Sequence, residues 1–222
     1  MVRVVKTGFS DEISNSEHFP SCGIELRNVS NSDARNLIVT VEWLDANGHS
    51  ISTIRNGLAL IPARRTFYMS CFQSDGLTVA VASLRVKVNI GKSTAHATKL
   101  PPVSNLKLTS DECGSSPAGT EKPVTLWNPQ LLPQKCGGRT LAGTLNNPYK
   151  IRFSPDAVIY VVFYSANGNI VGGQQDDSTA VSLRPGATIP FSFSDLHRDI
   201  AKAEVSVDPC GVDAFAGDCR LP

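Results

Sequence analysis

Along Val39-Thr40-Val41-Glu42-Trp43-Leu44, Val39, Val41 and Trp43 fall on one face and Thr40, Glu42 and Leu44 on the other. Alternation at period two marks a strand buried on one side. The pattern returns about 120 residues later, with Ile159, Val161 and Phe163 in the places of Val39, Val41 and Trp43. Each run ends in the same signal, Asp45-Ala46-Asn47-Gly48 or Ser165-Ala166-Asn167-Gly168. Asn-Gly tolerates the positive φ angles of a type I′ hairpin, so a tight turn is predicted at both places. Downstream, Leu60-Ile61-Pro62-Ala63 with Phe67 or Tyr68 is answered by Leu183-Arg184-Pro185-Gly186 with Phe191. Val81-Ala82-Ser83-Leu84-Arg85-Val86-Lys87-Val88 is answered by Ile200-Ala201-Lys202-Ala203-Glu204-Val205-Ser206-Val207. So long a period means two copies of one domain, not a short-repeat solenoid.

The first copy predicts strands near 2–9, 22–30, 36–44, 49–55, 64–72 and 80–90, the second near 123–128, 138–145, 157–165, 169–175, 187–194 and 200–207. No segment keeps a helical period over three turns. Short strands with regular turn signals predict an all-β chain of two tandem immunoglobulin-like β-sandwich domains. A chain of 222 residues suits that number. The expected division is residues 1–92, a linker at 93–122 rich in Ser, Thr, Pro and Gly, and residues 123–222. Leu106-Lys107-Leu108 within the linker is a candidate closing strand of the first domain.

Six cysteines, Cys22, Cys71, Cys113, Cys136, Cys210 and Cys219, are dispersed and form no C-x-x-C pair, which removes zinc-ribbon and thioredoxin readings. Disulfides in an oxidising compartment are favoured over six buried thiols. That implies an extracytoplasmic protein whose native leader is absent from this sequence. In a sandwich the second strand pairs antiparallel with the fifth, so Cys22 and Cys71 are expected at the same end of one sheet and bonded. In the second copy Cys136 stands at the matching strand start, but Ser194 takes the place of Cys71. Three connectivities remain for the other four cysteines; Cys113–Cys136 and Cys210–Cys219 close the shortest loops.

A net charge of +1 gives no electrostatic basis for nucleic-acid binding. No apolar run approaches the roughly 18–20 residues of a membrane span. His18, His49, His96 and His197 show no metal-ligand spacing, so no metal and no cofactor is expected. Cys113-Gly114-Ser115-Ser116-Pro117 fails the spacing of a nucleophile elbow. Asp45-Ala46-Asn47-Gly48 opens like a calcium loop but lacks the later acidic ligands. The doublets Asp11-Glu12, Asp111-Glu112 and Asp176-Asp177 are the carboxylates from which a glycoside-hydrolysing pair would have to come. Asn28-Val29-Ser30 is a formal glycosylation acceptor, but a turn is the favoured reading.

The run Val-x-Val-x-Trp-Leu-Asp-Ala-Asn-Gly, preceded by Leu26-Arg27-Asn28-Val29-Ser30 and followed by Leu60-Ile61-Pro62-Ala63, resembles the FxLYD-type domains. Phe163-Tyr164-Ser165-Ala166-Asn167-Gly168 and Leu183-Arg184-Pro185-Gly186 are similar to that family's later signatures, while Asn146 to Pro155 expands an earlier connection. The resemblance implies small immunoglobulin-like sandwiches of bacterial envelope or secreted proteins with a binding or accessory part. The chain is therefore expected to be a non-catalytic structural or interaction module with a protein partner or self-association. A hydrolase with an interdomain carboxylate site is the alternative, and a metal-binding carrier a weaker one. Nothing singles out a glycan, and none is excluded. Trp127, Leu131 and Leu132, in a segment bounded by Pro129 and Pro133, are the candidate partner contacts, because the repeat does not account for them.

Overall fold

The computed structural model describes residues 1–95, 98–110, 138–180, 182–197 and 199–211. They form β1 (Val2–Ser14), β2 (Glu17–Asn28), β3 (Asp33–Leu44), β4 (Ser50–Ile61), β5 (Thr66–Phe72), β6 (Ser83–Thr94), β7 (Val103–Ser110), β8 (Arg139–Asn146), β9 (Val158–Tyr164), β10 (Ile170–Asp176), β11 (Thr188–Leu196) and β12 (Lys202–Asp208). The protein is all-β. Its strands pair antiparallel in four three-stranded sheets, β1-β2-β5, β4-β3-β6, β11-β8-β7 and β10-β9-β12. Strands β1 to β6 and β7 to β12 thus repeat one pairing scheme.

In each half two sheets close on an apolar core, as in a sandwich. Ile24, Leu26, Phe67 and Met69 meet Leu37, Val39, Val41 and Trp43 in the first. Leu141, Leu145 and Phe191 meet Ile159, Val161, Phe163 and Val207 in the second. The alternating residues named from sequence supply these faces.

Several local expectations change. Leu106-Lys107-Leu108 does lie in a strand, β7, but it pairs with β8 and extends the second half. It takes the place that β1 holds in the first half, which the sequence assigned to 123–128, outside the described residues. The β3–β4 turn is not type I′. Gly48 N–H donates to the Asp45 carbonyl at 3.0 Å, and Gly48 alone of the turn has positive φ, at 80°. Gly168, with φ 76°, repeats the bond to Ser165 at 2.9 Å. This is a type I turn closed by a left-handed glycine. The Asp45 carboxylate accepts the N–H groups of Asn47 and His49 at 2.8 and 2.9 Å and so starts the turn one residue early.

Cys22 and Cys71 face each other in register on β2 and β5, with Cα atoms 5.0 Å apart, and are disulfide-bonded. The matching pair in the second half is Leu141 and Phe193, not Cys136 and Ser194. An apolar contact there fills the space that a covalent bond fills in the first half.

A buried asparagine recurs as well. Asn28 donates Nδ2–H to the carbonyls of Ser32 and Ile61 and accepts Ser30 N–H on Oδ1. Asn147 does the same with Ile151, Leu183 and Tyr149. Both are 0% exposed, so Asn28 in the folded chain is a turn clamp and no glycan acceptor. The expanded connection after Asn146 is core, too, with Tyr149 and Phe153 buried. Asn147→Ala leaves the Leu183 carbonyl and the Tyr149 N–H without these bonds. We expect it to cost about 2–3 kcal/mol in denaturant unfolding, since a buried group left unpaired forfeits its desolvation energy.

Candidate functional site

Sheet β10-β9-β12 packs on the outer face of β1-β2-β5, so the four sheets form one stack. All seven residues of β9 are buried. Ile159, Val161 and Phe163 enter their own core. Tyr160 reaches the first half, where its ring lies edge-on to Phe67 at 5.9 Å. Val162, Tyr164 and Ile170 cluster there with Tyr68. Glycine lets the backbones approach: a Cβ on Gly23 would lie 2.7 Å from the Gly172 carbonyl, and one on Gly173 2.6 Å from the Cys22 carbonyl. Hydrogen bonds cross the seam from Tyr68 N–H to Ser206 Oγ at 2.9 Å and from Ser70 Oγ to the Gln174 carbonyl at 2.5 Å.

Asp208 closes one end of this seam. Its carboxylate, 1% exposed, accepts the N–H groups of Ala59 at 2.9 Å and Cys210 at 3.0 Å. Burial pushes it up to about 6, although the N–H groups of Ala59, Cys210 and Gly211 pull the other way. The folded value exceeds the unfolded one, so the stability Asp208 contributes is present below about pH 4 and lost as pH rises through about 6. Relative to wild type, Asp208→Asn should therefore gain on the order of 2–3 kcal/mol between pH 4 and 7. Denaturant unfolding of both proteins across that range checks the slope. A pH-independent difference would refute it.

Two carboxylates border the seam's tyrosines. Glu25 and Glu204 both act on Tyr68 and Tyr164, whose phenols burial pushes above their ordinary range. Glu204 pairs with Lys202. Of the acidic doublets, Asp111-Glu112 lies outside the described residues, while Asp11 binds His18 Nδ1 at 2.8 Å and Asp176 caps Ser178 N–H at 2.8 Å. Among the described histidines, His18, His49 and His197 each pair with an aspartate, Asp11, Asp45 and Asp199. No group of three potential metal ligands occurs among the described residues.

A groove of roughly 500 Å³ opens between the β4–β5 turn and the segment leading to β7, within the size range of ligand pockets. Pro62, Ala63, Arg65 and Thr66 form one wall, Thr98, Lys99 and Leu100 the other. Asp33, fully buried, ties the walls together by accepting Ala63 N–H at 2.8 Å and Thr98 N–H at 2.9 Å. Arg35 Nη2 donates to Thr98 Oγ1 at 2.8 Å, and the Tyr149 hydroxyl donates to the Lys99 carbonyl at 2.5 Å. Arg27 reaches the Thr66 hydroxyl at 3.0 Å, and Arg3 stands opposite Arg27 in register. Arg64, between the lining residues Ala63 and Arg65, has φ 60°, and its Nε–H donates to Asn31 Oδ1 at 2.9 Å. Among the described residues, no carboxylate lies within ion-pair distance of Arg3, Arg27, Arg64, Arg65 or Lys99.

Trp127, Leu131, Leu132, Cys113, Cys136, Cys219 and His96 lie outside the described residues. Cys210 is disulfide-bonded, with its partner outside them too. Sequence reading missed both the seam and the groove. For the seam a signal existed: Tyr160, Val162 and Tyr164 replace Thr40, Glu42 and Leu44, and a strand apolar on both faces is buried on both. For the groove none did, because its cations are scattered along the chain.

No family model and no curated protein matches the sequence. Among solved structures, red sea bream transglutaminase covers 94% of this chain at 11% identity with a TM-score of 0.26, and the chain spans 30% of that structure's length. A likeness of that size carries no argument about this protein. Among the described residues, no helix is long and apolar enough to cross a membrane.

Proposed function

We propose that this chain is a non-catalytic structural or interaction module of the cell envelope or the extracellular space. The observation that supports it most is the seam. Glycine contacts and cross-seam hydrogen bonds join two sandwich halves into one stack, and that stack holds an open groove whose walls carry Arg65 and Lys99. Rigid presentation of a surface lowers the ordering cost of binding, which suits recognition. The Cys22–Cys71 disulfide favours an oxidising compartment. Thiol titration of the denatured, non-reduced protein should find almost no free cysteine, and several free thiols would remove that support.

A hydrolase acting at the seam is the second reading, because Glu25 and Glu204 both act on Tyr68 and Tyr164 there and glycoside hydrolysis uses a carboxylate pair. A turnover screen on polysaccharide, ester and peptide substrates separates the two. Binding without product formation supports the module. Saturable turnover abolished by Glu25→Gln or Glu204→Gln replaces it with the enzyme.

A further inference from the structure

We propose that the groove between Pro62–Thr66 and Thr98–Leu100 binds the acidic groups of a sulfated or carboxylated polysaccharide. This rests on the module reading and names the ligand of that module. The chain carries a net charge of only +1, with 21 Lys and Arg balanced by 20 Asp and Glu. Two of those cations, Arg65 and Lys99, nevertheless line one groove, and Arg27 bonds Thr66 of its wall; among the described residues none of the three has a carboxylate within ion-pair distance. Arg3 and Arg27 stand directly opposite on β1 and β2, where like charges repel unless something neutralises them. Guanidinium groups bind sulfate and carboxylate oxygens through paired N–H donors.

The second half is an internal control. Its turn keeps the same frame: Ala187 N–H bonds Arg184, as Arg65 N–H bonds Pro62. Its buried Asn147 clamps as Asn28 does. Asn146 there bonds Thr188 Oγ1 as Arg27 bonds Thr66 Oγ1. Three of the charges are missing, however, although Arg184 stands where the first half has Pro62. Asn146 stands for Arg27, Gly186 for Arg64 and Ala187 for Arg65. Gly186 has φ 70°, a conformation natural to glycine, whereas Arg64 holds φ 60° at a steric cost. The fold works without these arginines, so the scaffold does not account for them.

The walls suit a sugar chain. Thr66 offers a hydroxyl, Pro62 and Leu100 offer small apolar surface, and Asp33, Arg35 and Tyr149 fix the walls before a ligand arrives. Among the described residues no aromatic side chain lines the groove, whereas single-stranded nucleic acid is held largely by base stacking on aromatic rings.

The test is titration calorimetry of the full chain at low and physiological salt with a sulfated polysaccharide, a polyuronate, neutral dextran, inorganic sulfate and an oligothymidylate of matched charge. Arg65→Gln/Lys99→Gln is compared with Arg85→Gln/Lys87→Gln, a basic pair on the far face held by Glu42. Thermal melts confirm that both variants fold. The expected result is salt-sensitive binding of at least one acidic polysaccharide, weakened tenfold or more by the groove variant and unchanged by the far-face variant. No binding to either acidic polysaccharide overturns the inference. So does equal loss in both variants, or preference for the oligothymidylate or for inorganic sulfate. Shortening of the bound polysaccharide, read as new reducing ends, overturns the module reading instead.

Discussion

Gly173→Val is expected to prise the two halves apart. The added Cβ would sit 2.6 Å from the carbonyl oxygens of both Cys22 and Val161 and 2.7 Å from Ser70 Cβ. Two of those are backbone atoms in packed strands, so no side-chain rotation relieves the contact. Overpacking of this kind costs about 1–3 kcal/mol, occasionally more, and here it also strains the cross-seam bonds from Ser70 and Tyr68. We expect a loss of about 3 kcal/mol or more and unfolding in two steps where wild type unfolds in one. Gly48→Ala is the control: open space surrounds that position, and only its φ of 80° is strained, which costs about 1 kcal/mol. Equal effects of the two substitutions in denaturant unfolding would show that the seam is not tightly packed.

Cys22→Val with Cys71→Ala is expected to cost about 4 kcal/mol, the chain-entropy value for a sequence separation of 49. The replacements keep the site apolar, so the loss comes mainly from freeing the unfolded chain. Leu141 and Phe193 show that this fold tolerates an apolar pair at the matching place, which is why the variant should still fold. Unfolding midpoints and non-reducing peptide mapping check both parts. A peptide linking Cys22 to any other cysteine, or an unchanged midpoint, would contradict the assignment.

Most described strands were legible because period-two burial is local: Val39, Val41 and Trp43 need only their own alternation to declare an inner face. The disulfide was legible because the second and fifth strands of a sandwich are neighbours, which put Cys22 beside Cys71. Its supposed counterpart was misplaced because Cys136 lies too far before β8, and only the register shows Leu141 opposite Phe193. β7 was missed as a strand of the second half because Ser, Thr and Pro around it signal a linker, while its pairing with β8 is a long-range choice. The hairpins were placed correctly but given the wrong type, since only the glycine of each turn, Gly48 or Gly168, takes positive φ.

The first half's outer sheet explains why the stack ends where it does. Glu42 stands where Val162 does, and it is bridged by Arg85 and Lys87 at 2.8 and 2.9 Å. A charged ladder of this kind resists another sheet packing on it.

The amino-acid sequence by itself determined most of the strands and their inner faces, because each follows from neighbours along one strand or from a short turn. Tertiary structure alone decided that the halves dock through Gly23 and Gly173, that Asp208 is buried, and that Arg27, Arg65 and Lys99 share one groove. These depend on atoms far apart in the chain, whose meeting is set by how whole sheets stack.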